Sequence, residues 1–546
     1  MNNNNNWAAI AEPLRHSQVL LVEDFEAMRS VLKGLLLRCG AAHVDTARDG
    51  REATAMLNAK SYDIVMCDYN LGDGKNGQQL LEEARLKNWI GPATVWLMIT
   101  AEKTSIMVSA AAEEAPDDYL LKPITESMLQ SRLLKLVERK SALAGVAVAM
   151  KAQDWRRALQ LCNELIAGGT KSLAEVLRLQ ALLYQKLDDW PKAKAVYESV
   201  LQRGPIAWAK LGLAQVLLHQ GEQAAAQALL QDTVRDHPQY LEAYDELAGV
   251  LASQGQAQQQ IALLERAVNL SPNSAHRQSK LGVAALAQEQ RDIATRAFSR
   301  AIKLTEHSAV EDPEPFLGMA KIQTEAGAPS EAQKLLATMT QRYSGHDTQL
   351  LAKAETVRAL QAQGNKESAA HLAAELVAMS ADGTSASAAD IALRIAETLI
   401  ESQQADAANR LLQHVARNNY DDDRLLARTQ RAFERMGLGA EGGEFAAAAR
   451  REATHAMKDG MRLMAEGDPQ AALESLRGAK TSMPRNARVL LNFAAVALTV
   501  LQRHGRSAAL EAEMRSSIAT AQAIRPGDAR AAELLQQLAR WTADEA

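Results

Sequence analysis

A doubly wound α/β domain with five parallel strands, followed by an all-α array, is the fold this sequence predicts, and three observations predict it. First, the apolar runs Val19-Leu20-Leu21-Val22, Ile64-Val65-Met66-Cys67 and Val95-Trp96-Leu97-Met98-Ile99 each end in polar residues and alternate with helical patterns. Such short runs bounded by turn residues read as strands buried on both faces, as in a parallel sheet covered by helices. Second, strand signals vanish from about Ser141 onward, where Ala, Leu and Gln dominate helical pairs punctuated by Gly or Asp. Third, a 34-residue register recurs in that stretch, with Leu247-Ala248 matching Leu281-Gly282.

The elements follow in order. Residues 1–17 read as a polar, disordered leader. After the first strand, Met28, Val31, Leu32, Leu35 and Leu36 recur at helical spacing; Val44 begins a short second strand, and Ala53 to Leu57 mark a second helix. The third strand ends at Asp68, and a third helix runs through Leu80 to Leu86. The fourth strand ends at Thr100, with a helix expected through Ile106 to Ala112. Tyr119-Leu120-Leu121 form the last strand, and Leu129, Leu133 and Leu136 mark a closing helix that ends the domain near Val137. Strands alternating with helices in this way define a doubly wound sheet.

Composition narrows the function. A chain of 546 residues exceeds one core. A net charge of −5 and pI near 6.2 give no global attraction to nucleic acid or anionic membrane. Cys39, Cys67 and Cys162 lack zinc-ligand or disulfide-framework spacing. The asparagine-rich start has no signal-peptide pattern, and no apolar run is long enough for a transmembrane helix, so a cytoplasmic protein without membrane insertion is expected.

In open α/β sheets, ligands bind outside the carboxyl ends of the strands. That edge would collect Glu23, Asp24, Asp68 and Thr100. Singly, an Asp after a strand is usually a cap, and a Lys before Pro is usually solvated. Their ordered combination carries the information: Asp24 precedes Asp68 by 44 residues, and Thr100 precedes Lys122-Pro123 by 22.

On these residues, positions 18–137 closely resemble the receiver domain of bacterial two-component response regulators, and both spacings match the chemotaxis members of that family. The resemblance implies a sheet in the flavodoxin-like order 2-1-3-4-5. It implies that Asp68 is the phosphoacceptor, charged by a histidine kinase or phosphotransfer protein. It further implies that Asp24 and Asp68 ligate Mg²⁺ together with the backbone carbonyl of Asn70, Glu23 acting through water. Lys122 would pair with the phosphoryl oxygens, Thr100 would donate to another, and Tyr119 would change rotamer as Thr100 shifts. Asn70 and Glu102, two residues beyond the phosphoacceptor and the hydroxyl position, are those of the fast-resetting chemotaxis members, which implies a phosphoryl lifetime of seconds to minutes. The loop Tyr69 to Gly77 is one residue longer and lacks their proline; Asp73 and Lys75 read as solvated loop charges.

The register after Ser141 resembles tetratricopeptide repeats: Ala294, Phe298 and Ala301 follow Leu281-Gly282 at the expected offsets, and Ala193, Tyr197, Pro205, Ala472, Ala479 and Pro484 mark other units. Small residues at Gly212, Gly282, Ala193, Ala294 and Ala472 are expected to let the two helices of a unit approach. Repeats would occupy residues 138–436, a hinge 437–443, and further repeats with a capping helix 444–546. Such an array presents a concave surface for an unidentified protein partner. Arg424, Arg428, Arg431 and Arg435 read as a solvated helix face rather than a nucleic-acid site.

No P-loop, HExxH or nucleophile-elbow motif follows residue 140, and no DNA-binding helix-turn-helix is apparent. The favoured expectation is therefore a non-enzymatic, phosphorylation-controlled adaptor or inhibitor of a partner. A constitutive scaffold whose receiver docks a kinase or drains phosphoryl groups is the alternative. An enzyme with a cryptic site in the helical array has least support.

Overall fold

The computed structural model describes residues 14–91, 94–101, 116–308, 310–381 and 388–544. Two compact units result, Met1–Pro315 and Phe316–Ala546.

The first unit begins with a five-stranded sheet: β1 (Gln18–Val22), β2 (His43–Ala47), β3 (Ile64–Asp68), β4 (Val95–Thr100) and β5 (Asp118–Leu121). All pairings are parallel, in the order β2-β1-β3-β4-β5. Alternation of side chains along the strands splits the core into two. Val19, Leu21, Ile64, Met66, Leu97 and Ile99 face helix α1 (Glu26–Arg38) and helix α4 (Glu126–Lys151). Leu20, Val22, Val65, Cys67, Trp96 and Met98 instead pack with helices α2 (Gly50–Ala59) and α3 (Gly77–Leu86). The expected helix through Ile106 to Ala112 lies outside the described residues, as does Glu102.

Two boundaries differ from the sequence expectation. Leu14, assigned to the leader, is 1% exposed and belongs to the sheet core, because one helical turn before β1 folds it back beneath α1 and α4; residues 1–13 lie outside the described part. The closing helix also runs past Val137 to Lys151 without a break. Neither Gly nor Pro interrupts it before Gly145, and Asp117 holds its middle through Arg139 (3.2 Å) and Lys140 (3.0 Å), while Lys140 also donates to the Thr94 carbonyl (2.9 Å). One rigid helix thus belongs to both the sheet domain and the array.

The array continues in the first unit as α5 (Trp155–Ala167), α6 (Leu173–Lys186), α7 (Trp190–Leu201), α8 (Ala207–His219), α9 (Gln223–Asp236), α10 (Leu241–Ser253), α11 (Ala257–Leu270), α12 (Ala275–Ala287) and α13 (Arg291–Leu304). Each helix packs on the next in sequence. Local sequence starts them: Asp154 and Asp189 accept from the third backbone amide of α5 and α7, and proline occupies the first turn of α7. Gly282 on α12 meets the Phe298 ring on α13, where an added Cβ would lie 2.4 Å from the ring, so this glycine lets α12 and α13 approach closely. Gly212 on α8 meets Tyr197 on α7, at 2.2 Å, and so packs its helix on the preceding one rather than on the following one. We expect Gly282→Ala to destabilise the chain by about 2 kcal/mol through overpacking, and Phe298→Leu to recover part of the loss in a double-mutant cycle. Additive denaturant midpoints would contradict this contact.

Helix α14 (Glu314–Glu325) begins two residues before the second unit, which continues with α15 (Pro329–Arg342), α16 (His346–Ala362), α17 (Lys366–Ala381), α18 (Ala388–Glu401), α19 (Ala405–Asn418), α20 (Asp423–Arg435), α21 (Gly439–Ala465), α22 (Pro469–Ser482), α23 (Ala487–His504), α24 (Ala508–Ile524) and α25 (Ala529–Asp544). The hinge expected over 437–443 is replaced by a tight turn at Gly437 (φ +76°), after which α21 starts at Gly439. Gly442 has no Cβ, which would lie 2.5 Å from the Phe433 ring; that close approach locks α21 onto α20. None of the described helices is long and apolar enough to cross a membrane.

Candidate functional site

Strand register builds the site. Val22 pairs with Cys67, so Glu23 and Asp24 leave β1 beside Asp68, the last residue of β3. Asp68 pairs with Ile99, and Thr100 with Leu121. The Lys122 amide donates to the Thr100 carbonyl at 2.8 Å, which places the lysine one step beyond β5 over the same edge.

Lys122 Nζ donates to Asp68 Oδ2 at 2.7 Å and to Glu23 Oε2 at 2.9 Å and Oε1 at 3.2 Å. Glu23, Asp68 and Thr100 are 1%, 6% and 6% exposed, while Asp24 is exposed. Glu23, Asp24 and Asp68 present carboxylate oxygens within 4.8 Å of one another. Arg29 Nη1 donates to the backbone carbonyls of Glu23 (2.7 Å) and Asp24 (3.3 Å), fixing the turn without neutralising a carboxylate.

Electrostatics follow from burial and crowding. Burial raises the Glu23 pKa above its ordinary value; the Lys122 hydrogen bond opposes this, and the charges of Asp68 and Asp24 add to the rise. Burial disfavours the Lys122 charge, but the hydrogen bonds to Asp68 and Glu23 prevail and hold its pKa above the usual lysine value. Lys122 is therefore a fixed cation over an acidic floor.

The loop from Asp68 to α3 contains features that spacing did not reveal. Gly77 donates its amide to the Tyr69 carbonyl at 2.9 Å, and a Cβ there would lie 2.2 Å from the Asp68 carbonyl oxygen. The first turn of α3 thus rests directly on the Asp68 backbone. Asn76 and Gln79 form a reciprocal capping box at that helix start. The sequence signal was present: Asn76 is followed three residues later by Gln79, just before the apolar pair Leu80-Leu81. Gly72 (φ +74°) approaches the Asp24 carboxylate, a Cβ there lying 3.4 Å from Oδ2. Lys75, expected as a solvated charge, is largely buried; it pairs with Glu83 and donates to Thr54 Oγ1 at 3.1 Å, tying the loop to α2 and α3.

Tyr119 packs partly buried against the core on the α2–α3 side, and its hydroxyl is shut off from solvent with no hydrogen-bond partner among the described residues. Burial raises the pKa of its phenol well above the ordinary value. Asn70 is exposed on the loop two residues after Asp68. All three cysteines are buried and unpaired with one another, and burial pushes the Cys39 and Cys162 thiols up to about 11.

Some charges in the array are engaged by neighbouring helices. Asp245 on α10 pairs with Arg277 on α12 at 2.6 Å and with Lys280 at 3.7 Å. On α20, Arg428 pairs with Asp390 and Arg435 with Glu401 (3.4 Å), so two of the four arginines read as a solvated face instead hold α20 to α18.

Comparison with known proteins places the likeness on the sheet domain. Residues 19–134 match the family model described as response regulator receiver domain. Chemotaxis protein CheY-3 of Vibrio cholerae serotype O1 is 34% identical over 125 residues, 23% of this chain and 95% of that protein. Chemotaxis protein CheY of Pseudomonas aeruginosa is 33% identical over 122 residues, 22% of this chain and 97% of that protein. Among solved structures, chemotaxis response regulator CheY4 of Vibrio cholerae is 26% identical, covering 22% of this chain and 98% of that chain at a TM-score of 0.21.

Proposed function

The chain belongs, through residues 19–134, to the response regulator receiver family, and we propose that a histidine kinase or phosphotransfer protein phosphorylates it on Asp68 to control protein binding by its helical array. The observation that carries this reading is Lys122 Nζ at 2.7 Å from Asp68, beside the carboxylates of Glu23 and Asp24. Three carboxylates against one ammonium leave the pocket net negative, and all-oxygen donors suit a hard cation such as Mg²⁺. Asp24 and Asp68 would hold it, with the Asn70 carbonyl, and Glu23 would act through water. When bound, the ion screens the carboxylate nucleophile from the incoming phosphoryl group.

The residues of the chain do the rest. An Asp68 carboxylate oxygen forms the new O–P bond as the donor's N–P bond breaks, the electron pair staying on the imidazole nitrogen. Lys122, already held by Asp68 and Glu23, turns its ammonium to the phosphoryl oxygens, and Thr100 donates to another. Tyr119, on the strand beside Thr100, carries the change outward.

Incubating the full chain with Mg²⁺ and a small phosphodonor should add one phosphoryl group, detected by intact mass and mapped to Asp68; transfer to any other residue would reject the assignment. Saturating Mg²⁺ alone, at about 100 times its Kd, should stabilise the chain by about 2.7 kcal/mol. Asp24→Asn should remove most of that gain in thermal unfolding, and equal midpoints with and without Mg²⁺ would contradict the ion site.

The array is read as tetratricopeptide-like, supported by the 34-residue register and the Gly282–Phe298 contact. Its role as an adaptor is tested by capturing partners with and without Mg²⁺ and beryllofluoride. A phosphorylation-dependent change in the captured set supports control; identical sets and affinities support a constitutive scaffold.

A further inference from the structure

One side chain bridges the phosphoacceptor loop and the array. Gln79, in the first turn of α3, accepts from the Asn76 amide through Oε1 (3.0 Å) and donates through Nε2 to the carbonyl of Leu304 (3.0 Å), the last residue of α13. Its partner lies 225 residues away in sequence but in the same compact unit. Gln79 points opposite to the core residues Leu80, Leu81 and Ala84 of its helix, on the face α3 turns away from the sheet. Even so it is only half-buried rather than open, and the Oε1 of its neighbour Gln78 is shut off from solvent without a hydrogen-bond partner among the described residues.

The bond has a physical rationale at both ends. The last four carbonyls of a helix have no intrahelical partner, so a side-chain donor stabilises that terminus. At the other end, α3 cannot move independently of Asp68, because Gly77 is in backbone contact with it and is hydrogen-bonded to Tyr69. Asp68 to Gln79 is therefore a short path through the backbone contact at Gly77 and the first turn of α3.

Resting on the receiver reading above, we infer that Gln79 and the C-terminal turn of α13 form an intramolecular latch. It holds the array against the α3 face of the receiver, and phosphorylation of Asp68 loosens it. Output would then leave the receiver through α3 as well as through the Tyr119 strand. The array would be presented to its partner in two states without leaving the chain.

Hydrogen–deuterium exchange on the full chain tests this. Gln79→Glu keeps the oxygen that accepts from Asn76, so the helix start survives, but it sets a carboxylate against the Leu304 carbonyl. Exchange of amides in 301–308 should rise about fivefold in this variant, the loss of one hydrogen bond. Mg²⁺ with beryllofluoride should produce a similar rise in the wild type and little more in Gln79→Glu. Asn76→Ala, which removes the cap but leaves the Gln79 donor, should raise exchange at 77–80 and leave 301–308 near wild type. Unchanged exchange at 301–308 in Gln79→Glu overturns the latch. If beryllofluoride protects the loop at 68–74 but leaves 301–308 unaltered, the latch fails while the receiver reading stands. If beryllofluoride protects nothing at 68–74, the receiver reading fails and the control by phosphorylation with it.

Discussion

Asp68→Asn is expected to reduce phosphoryl incorporation to background while leaving the chain folded. An amide is not a competent nucleophile toward phosphorus, and no other carboxylate is expected to replace it: Glu23 is 1% exposed and already bound to Lys122 through both oxygens, while Asp24 is exposed and makes no such contact with Lys122. Removing one partner of a buried ion pair is costly when the remaining charge is stranded. Here Lys122 keeps Glu23 at 2.9 Å, so the stability loss should be no more than about 1 kcal/mol. Intact mass after phosphodonor treatment and a denaturant midpoint read the two effects separately. Phosphorylation of the variant at wild-type stoichiometry would remove Asp68 from its role.

Gly77→Ala should harm both stability and phosphorylation. This glycine has no need of a left-handed backbone; Gly74, at φ +103° with nothing near its missing Cβ, is that kind of position. At Gly77 the constraint is contact, since a methyl group would meet the Asp68 carbonyl oxygen at 2.2 Å and Cys67 Sγ at 3.0 Å. Backbone on that side is a β-strand paired on both edges and cannot retreat, so a loss of about 3 kcal/mol is expected. What relaxation occurs must move Asp68 relative to Lys122, so the rate of phosphorylation should fall even at temperatures where the variant is folded. Wild-type melting together with a wild-type rate would show that the helix start has room the packing does not suggest.

The acidic edge was readable because its residues sit at strand ends, where three apolar runs mark the strands and each polar terminus marks the same side of the sheet. Asp24, Asp68, Thr100 and Lys122 follow from that periodicity plus an ordered likeness. Gly77 and Lys75 were not readable in the same way. Their roles depend on how a loop folds over the sheet: Gly77 needs the Asp68 carbonyl beneath it, and Lys75 needs Glu83 on α3 and Thr54 on α2. Leu14 was misplaced because a single leucine set between Pro13 and Arg15-His16 makes no periodic signal. The glycines of 437–443 read as a break because four of them lie within seven residues, yet Gly442 serves close helix packing, as Gly282 does.

Periodicity, turn residues and the 34-residue register were enough to set the element types, the strand edge that gathers the acids, and the change from sheet to helices, because each is a local pattern that every turn or strand repeats. The continuity of α4 from the sheet into the array, the packing of Gly212 on Tyr197 of the preceding helix, and the meeting of Gln79 with Leu304 came only from the folded chain. Those features join residues far apart in sequence, and their energy comes from contacts that exist only after both partners have been positioned by something else.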